Sequence, residues 1–381
     1  MRQQEKYIER RRSLITNETN LEPLHTLTNF PVFMGCVNTP AQDDIVADME
    51  WVIDPSSGMI QLRRLLPLDV LYFDQHNDGT GAVWKDLYSA TAAFIARHRK
   101  GSRILEIGGA HDEIAARYFT LDPDATWTTI EPNPQHIDHP RIRVIKGWFD
   151  ETFSLDAPID MIVHSHVFEH IYEPVPFLRH IAACLAPGQR HIFAFPNLLP
   201  MLERKFTNAL NFEHTAFLTE YFTDWMLQAA GFDIIAKEYF GSPHSILYAT
   251  EKLARPSPPP ALRNMYADYR RMFVEFVRYH HDLVSDLNRA IATTTTPVYV
   301  FGAHIFTIYL LNFGLDATRI VSALDNSGLK QGKRLYGTNL IAQSPEVLRD
   351  KGQVNVILKA GAYNDEIKQQ LLTINPHITF W

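Results

Sequence analysis

The chain is poor in cysteine, in excess positive charge and in long apolar runs. Its 2 cysteines, Cys36 and Cys184, are too few and too far apart for a disulfide framework. Its 36 basic and 43 acidic side chains give a net charge of −7, which does not favour nucleic acid or an anionic membrane as a partner. No apolar stretch approaches the roughly 20 residues of a membrane-spanning helix. We therefore expect no nucleic-acid partner and no membrane partner.

The first twelve residues also lack the apolar segment of a secretory signal, so we expect a cytoplasmic protein. What is present is an ordinary globular composition, 46% hydrophobic and 21% charged, which is enough for more than one core. We predict an N-terminal domain over 1–85, a core domain over 86–252, a Pro-rich linker with a long helix over 253–296, and a C-terminal domain over 297–381.

An alternation of strand and helix patterns indicates an α/β core. Helical patterns separate most of the strands, which predicts an open, mostly parallel sheet. The last two strands have no helix between them and predict an antiparallel hairpin at the sheet edge. The predicted strands of the core are 103–107, 127–131, 142–145, 159–164, 190–195, 233–238 and 245–249.

The two ends carry their own patterns. The N-terminal domain has strand-like pieces at 49–53 and 59–62, and an apolar stripe with three-to-four spacing predicts a helix over about 261–292. A second, smaller α/β unit begins near residue 298. Its further predicted strands are 319–325, 339–342, 354–358 and 377–380.

A glycine turn follows the first strand of the core. The strand carries Glu106, the turn is formed by Gly108 and Gly109, and apolar residues then resume at helical spacing. The next predicted strand ends in Glu131. An acidic residue about 20 positions past such a turn is placed to bind ribose hydroxyls. The pattern predicts a site for a nucleotide-like cofactor, although a tight turn without a ligand remains an alternative.

The turn does not fit a dinucleotide. A dinucleotide fingerprint requires a third glycine, whereas this chain has Ala110 and then Asp112, an acid that would repel a pyrophosphate. A cofactor without phosphates fits better, which favours S-adenosylmethionine (SAM) over NAD.

Several short motifs along 103–250 together resemble the Rossmann-like SAM-dependent methyltransferases. That family has a Glu-x-Gly turn, an acidic strand end, an Asp-x-Ile strand followed by a Glu-His-Ile step, a Leu-x-Pro-Gly turn and a late Ala-Gly-Phe. The corresponding residues here are Glu106 to Gly108, Glu131, Asp160 to Ile162, Glu169 to Ile171, Leu185 to Gly188, and Ala230 to Phe232.

The resemblance implies the placement of SAM. Glu131 would accept hydrogen bonds from the ribose hydroxyls, and Gly108 and Gly109 would pass under the methionine part. Trp148 or Phe149 would stack on adenine, with core packing as the alternative for both rings. The residues predicted to bind the cofactor are Glu106, Gly108, Gly109, Ala110, Glu131, Pro132, Trp148, Phe149, His164 and His166.

The ends of the chain narrow the resemblance. The segments 301–304, 325–337 and 344–346 are similar to the C-terminal domain of sugar C-methyltransferases, which act on nucleotide-linked keto-sugars. That family also has an N-terminal domain in which four cysteines bind zinc. Here Cys36 has no partner nearby, so we expect no structural zinc and interpret 1–85 as a degenerate relative of that domain. The resemblance covers about residues 45–381.

A candidate base lies in Glu213 and His214, which match the family's Glu-His pair, whereas Asn211 replaces its tyrosine. Histidine suits a base near neutral pH. The base would remove the proton next to a ketone, and the enolate carbon would attack the sulfonium methyl. Glu213 would hold the imidazole or act as base itself; a purely structural histidine is the alternative. The residues predicted to contact substrate are His76, Asn77, Asn197, Asn211 and His170.

One further cluster has the chemistry of metal ligands. His164 and His166 are two apart on a predicted strand and so share a face, with Glu169 and His170 close behind. The same step occurs in methyltransferases without metal, so we predict no metal ligands.

The leading hypothesis is a SAM-dependent methyltransferase of a sugar, most simply C-methylation in carbohydrate biosynthesis. Alternatives are O- or N-methylation of a sugar or glycan, and a catalytically degenerate protein that binds nucleotide-sugars. A weaker alternative is an NAD-linked sugar dehydrogenase or reductase that uses the C-terminal unit. The turn at Gly302 in that unit fits the dinucleotide fingerprint poorly. A homodimer is a further possibility.

Overall fold

A computed structural model describes residues 7–72, 81–135, 139–155, 157–241, 243–256 and 258–381. The strands, in chain order, are β1 (Ile8–Glu9), β2 (Glu22–Pro31), β3 (Cys36–Val37), β4 (Val46–Ile53), β5 (Ile60–Leu62), β6 (Arg64–Leu65), β7 (Arg103–Ile107), β8 (Thr126–Glu131), β9 (Ile142–Lys146), β10 (Met161–Ser165), β11 (Arg190–Pro196), β12 (Phe232–Phe240), β13 (Ser245–Lys252), β14 (Val298–Phe301), β15 (Ile320–Leu324), β16 (Arg334–Leu335), β17 (Ala342–Gln343), β18 (Val354–Leu358) and β19 (Ile378–Phe380). The helices are α1 (Leu68–Leu71), α2 (Ala82–His98), α3 (Glu113–Tyr118), α4 (Pro174–Cys184), α5 (Leu198–Glu203), α6 (Glu220–Ala229), α7 (Tyr266–Thr293), α8 (Ile305–Asn312) and α9 (Asn364–Ile374).

The chain forms two compact units. The central unit consists of Gly79–Leu199 and Leu218–Arg263, and the terminal unit consists of Met1–Asp78, Pro200–Phe217 and Asn264–Trp381. The four-part division expected from the sequence stays a prediction.

The central unit is built on a seven-stranded sheet of order β12-β13-β11-β10-β7-β8-β9. The neighbours from β11 to β9 are parallel, and β13 runs antiparallel to both β11 and β12. Each strand predicted for the core is present, and the α/β fold with an antiparallel edge hairpin is confirmed. The strand order reverses between β7 and β10, and in open α/β sheets ligands bind outside the carboxyl ends of the strands at such a point.

The inner strands of this sheet are buried on both faces, which is why β7, β10 and β11 are largely apolar runs. Alternate residues such as Ile104, Val163 and Ile192 pack against α2 and α3 in one cluster. On the opposite face an aromatic layer includes Phe193 and Phe177 of α4. The helices thus fix the sheet from both sides and leave its carboxyl edge for the loops.

The terminal unit contains two larger sheets and two two-stranded ones, β1-β6 and β16-β3. The antiparallel sheet has the order β2-β4-β5, and the parallel sheet has the order β17-β15-β14-β18-β19. Helix α7 covers the first of these with a buried stripe that includes Tyr269, Phe273 and Phe276, as its three-to-four spacing predicts. In the described part of the chain, no helix combines the length and the apolar character needed to cross a bilayer.

A buried ion pair joins the two ends of the chain within the terminal unit. β16 pairs with β3, and beside this pairing Arg334 binds Asp44 through two contacts, Nη1 to Oδ2 at 2.6 Å and Nη2 to Oδ1 at 2.8 Å. Arg334 also donates to the carbonyls of Thr39 and Thr338. The two side chains are only 11% and 5% exposed, so little water competes for the pair.

We predict that Arg334→Ala lowers the free energy of unfolding by about 3 kcal/mol, because it leaves the Asp44 carboxylate buried without its main partner. Chemical denaturation measures this change. Arg271→Ala is the control: its bridge to Asp268 lies on the exposed face of α7, with 69% and 53% of the two side chains accessible, so it should cost less than about 1 kcal/mol. Equal losses from the two variants would contradict the prediction.

Candidate functional site

The turn after β7 is closely packed on two sides. Gly108 has φ +77°, and a Cβ added there would lie 2.4 Å from Cγ2 of Val167. A Cβ on Gly109 would lie 2.5 Å from the Glu106 carboxyl carbon. The Gly108 N–H donates to the Ile130 carbonyl at 2.9 Å, which ties the turn to β8. A side chain at either position would therefore collide with these neighbours, which is why glycine suits the turn.

Glu106 lies beneath this turn instead of on its surface. The side chain is 3% exposed, and its Oε2 accepts a 2.8 Å hydrogen bond from the indole N–H of Trp127. Burial raises the pKa of Glu106 to about 8, against the opposing effect of the Trp127 hydrogen bond. The carboxyl group is therefore largely protonated at neutral pH, and it supports the turn from below.

Asp112 is also turned inward. It is 1% exposed, has φ 52° and accepts a 3.3 Å hydrogen bond from Thr129. The acid that argued against a pyrophosphate thus faces the protein interior. Ala110 closes the turn, with its N–H donating to the Gly108 carbonyl at 3.1 Å and its carbonyl accepting from Gln135 at 2.9 Å.

Glu131 ends β8 at the same edge of the sheet. β8 is the parallel neighbour of β7, and Ile107 pairs with Ile130. Gly108 and Glu131 therefore lie side by side where the two strands end. The Glu131 Oε1 accepts the Asn133 N–H at 2.9 Å. Burial raises the pKa of Glu131, while the Asn133 hydrogen bond and His111 lower it. Pro132 follows directly in the turn. The site thus pairs a closely packed glycine turn with a half-buried carboxylate.

The two aromatic candidates differ in exposure. Trp148 is 49% exposed, and so presents a ring to solvent. Phe149 packs against Phe153, Phe177 and His180, with ring centroids 5.3, 5.8 and 4.7 Å away. Trp148 is the better placed of the two to stack on a base.

His164 and His166 bond to different partners. His164 is 1% exposed in the aromatic layer, and its Nε2 is 2.9 Å from Nε2 of His191. The predicted contact between His164 and the cofactor does not fit this position, because alternation along β10 directs the side chain into the core. His166 has φ 55°, so the backbone leaves the strand and its ring bonds to Ser165 and Ser245 instead.

Two predicted substrate residues lie in the central unit. Asn197 follows β11, and its N–H donates to the His244 carbonyl at 3.0 Å. His170 is half-buried in the turn after β10, with Nε2 3.9 Å from the Glu169 carboxylate. Both are at the carboxyl edge of the sheet, whereas His76 and Asn77 lie outside the described residues.

Glu213 and His214 belong to the terminal unit. The next residues extend the small sheet, because the Thr215 carbonyl accepts from Leu62 and the Phe217 N–H donates to Ile60. The buried Arg10 also donates to the Thr215 carbonyl, at 3.1 Å. The loop that carries the predicted base is thus anchored at its carboxyl end.

Asn211 anchors the same loop from the other side. Its Oδ1 accepts the N–H groups of Glu213 at 2.7 Å and His214 at 3.0 Å. The His214 Nδ1 lies 2.9 Å from the Asn208 carbonyl, which can only accept, so the proton is on Nδ1 and the lone pair is on Nε2. Burial lowers the pKa of His214, and Glu213 partly offsets this. The imidazole is therefore a neutral base at physiological pH.

The two cysteines are free and belong to different units. Cys36 is buried in the terminal unit, with Sγ 3.7 Å from the Ala303 carbonyl, and burial raises the pKa of its thiol to about 11. Cys184 ends α4 in the central unit. That the protein binds no zinc stays a prediction.

The motif pattern did not indicate Trp127 as a residue of the site. It supports Glu106 directly, and it shares the face of β8 with Thr129, the partner of Asp112. The sequence did hold a signal for Trp127. Residues two apart on a strand share a face, as Trp127 and Thr129 do, and β8 neighbours the strand that carries Glu106.

Comparisons with known proteins bear on the central unit. Residues 80–237 match a family model described as a methyltransferase domain. No curated protein matches the chain. The match confirms the methyltransferase part of the prediction for this segment of the chain. It does not test the resemblance to the sugar C-methyltransferases.

Solved structures similar to part of the chain include several methyltransferases. Human N-acetylserotonin methyltransferase in complex with SAM is 16% identical, with a TM-score of 0.38, over 45% of this chain and 54% of that one. A SAM-dependent methyltransferase from Mesorhizobium loti is 13% identical, with a TM-score of 0.36, over 43% and 100%. The mitomycin 7-O-methyltransferase MmcR is 16% identical, with a TM-score of 0.34, over 44% of this chain and 54%, about half, of its own length.

We predict that Gly109→Ala weakens SAM binding at least about tenfold, because the new Cβ collides with Glu106 and forces the turn to move. Calorimetric titration with SAM measures the change. Gly352→Ala is the control, since a Cβ there meets nothing within 4 Å and the residue does not have positive φ. A Gly109→Ala protein that binds SAM as the wild type does would show that the turn is not part of the cofactor site.

Proposed function

We propose that the chain is a SAM-dependent C-methyltransferase that acts on a nucleotide-linked keto-sugar. The observation that carries the cofactor part is the glycine turn at Gly108 and Gly109, beside the Glu131 carboxylate and at the reversal of strand order. The acceptor and the methylated atom rest on the resemblance of the chain ends to the sugar C-methyltransferases.

The donors and acceptors at this edge fit SAM. Gly108 and Gly109 would pass under its methionine part, Glu131 would accept the ribose hydroxyls, and Trp148 would cover adenine. Glu106 and Asp112 are held below the turn, so their oxygens are not aimed at the ligand. SAM supplies a methyl group on a positively charged sulfur.

His214 is the proposed base. Its hydrogen bond to the Asn208 carbonyl leaves the lone pair on Nε2, and burial keeps the ring neutral. A neutral imidazole can take the proton on the carbon next to a ketone, and the carbon then attacks the methyl group. Glu213 supports the ring once it is protonated. The same base could act on a hydroxyl, which makes O-methylation the second candidate.

The acceptor is tested by incubating the protein with ¹³C-methyl-labelled SAM and a panel of nucleotide-linked keto-sugars. The proposal predicts release of S-adenosylhomocysteine (SAH) and a ¹³C-methyl signal of a group bonded to carbon. A methyl signal typical of a methoxy group would favour O-methylation. Tight SAM binding without any product would leave a protein that binds these ligands and does not catalyse.

We predict that Glu131→Gln weakens SAM binding about 10- to 100-fold, because hydrogen bonds to a charged acceptor are worth about 1.5–3 kcal/mol. Asp233→Asn is a matched control, since it removes an exposed carboxylate from β12 at the far edge of the same sheet. Calorimetry should show the control within about twofold of the wild type, a difference of about 0.4 kcal/mol. Equal affinities of all three proteins would remove Glu131 from the site.

We predict that His214→Gln lowers kcat at least about 100-fold with little change in SAM affinity, because a positioned base contributes about 10²- to 10⁴-fold. The pH profile gives a second test. Because burial lowers the pKa of His214, kcat should fall only at a pH below that at which an exposed imidazole takes up a proton. A wild-type profile that already falls above pH 6.5 would argue against His214.

A further inference from the structure

A line of hydrogen bonds runs along the carboxyl edge of the central sheet. Ser165 Oγ lies 3.1 Å from His166 Nδ1, and His166 Nε2 lies 3.1 Å from Ser245 Oγ. Ser245 Oγ then lies 2.8 Å from His244 Nδ1. We call these four residues the Ser165–His244 chain. It connects the end of β10 to the start of β13 through two hydroxyls and an imidazole bonded at both nitrogens.

The Ser165–His244 chain lies next to the cofactor turn. Val167 follows His166 and is the residue that limits the space at Gly108. In the sheet, β8 with Glu131 is on one side of β7, and β10 and β13 are on the other. With the ribose at Glu131, the other side of Gly108 is left for the acceptor. Asn197, a predicted acceptor residue, is bonded to the His244 carbonyl.

Several features suit the Ser165–His244 chain to passing protons along its hydrogen bonds. His166 is held at φ 55°, a conformation uncommon for a residue other than glycine, and its N–H donates to the Ala194 carbonyl at 2.8 Å. The Trp84 ring packs against the imidazoles of His166 and His244, with ring centroids 4.9 and 5.3 Å apart. Burial lowers the pKa of His244 to about 4, so it is neutral at physiological pH. Each hydroxyl or imidazole can receive a proton on one side and release one on the other.

We propose that the Ser165–His244 chain polarises the carbonyl oxygen of the acceptor, with the Ser165 hydroxyl as the donor. This role rests on the proposed function. When the base removes the proton next to the ketone, the C–H electrons form the enolate and negative charge develops on that oxygen. The Ser165 O–H donates to it, and the other members reorient to support the donor.

The methyl-transfer step then balances without another reactant. The enolate carbon forms a bond to the methyl group, and the carbon–sulfur bond breaks with its electrons going to sulfur. The ketone re-forms and its oxygen loses the negative charge. The abstracted proton leaves the base for solvent. Ser165 touches the acceptor, whereas His166, Ser245 and His244 are positioning residues that act through it.

The test compares Ser165→Ala and Ser245→Ala with a matched control, Thr250→Val. Thr250 is a fully buried residue on β13 whose hydroxyl bonds the His191 carbonyl, outside the chain. Two rates are measured for each variant: methylation of the keto-sugar, and exchange of the proton next to the ketone for deuterium with SAH bound. The exchange rate reports enolate formation alone. A general loss of packing would not lower this rate selectively.

We expect Ser165→Ala to lower kcat and the exchange rate about 100-fold, as the loss of one donor to a developing oxyanion does. Ser245→Ala should lower both about tenfold, because it only disconnects His166 from His244. SAM affinity should stay within about twofold of the wild type in both, and Ser165→Thr, which keeps the hydroxyl, should restore the exchange.

Three outcomes would overturn the proposal. Normal exchange and turnover in Ser165→Ala and Ser245→Ala would show that the chain is structural. An equal loss in Thr250→Val would assign the effect to packing. A wild-type protein that neither exchanges nor methylates any keto-sugar would overturn the proposed function itself, and the acceptor carbonyl with it.

Discussion

The cofactor site depends on the absence of two Cβ atoms at one turn. Gly108 packs against Val167 and Gly109 packs against Glu106, each so closely that a methyl group at either position would collide. This packing holds the ends of β7 and β10 together at the reversal of strand order. The proposed roles of Glu131 and of the Ser165–His244 chain both depend on this turn, because they lie on its two sides.

The acidic residues around the turn are arranged by burial. Glu106 and Asp112 face inward, bonded to Trp127 and Thr129, and the raised pKa of Glu106 favours its neutral form. Glu131 is the acid of this group at a strand end with partial exposure. A neutral Glu106 beneath the turn and one carboxylate beside it suit a ligand with ribose hydroxyls and no phosphates.

The sequence was sufficient for the elements whose pattern is set by burial. The inner strands of the central sheet, such as β7 and β10, are buried on both faces and short, and Gly or Pro residues bound several of the seven strands, so each was predicted. β2 was not, because it contains Pro23 and Pro31 with polar residues between, and pairs with bulges. The strand-end acid Glu131 follows from spacing, as does the glycine turn.

Side-chain direction was harder to predict. His164 and His166 look equivalent in the sequence, but one lies in the core and the other leaves the strand through a left-handed residue. Periodicity cannot show that change of backbone. Nor could it show that Ser245, about 80 positions away in the chain and paired only through an antiparallel edge strand, meets His166.

The most direct test of the account is a crystal structure of the protein with SAH. The account predicts that both ribose hydroxyls lie within about 3.2 Å of the Glu131 carboxylate, with the amino-acid part of the ligand over Gly108 and Gly109. An adenosine bound elsewhere, with the turn at 108–109 not contacting the ligand, would contradict it.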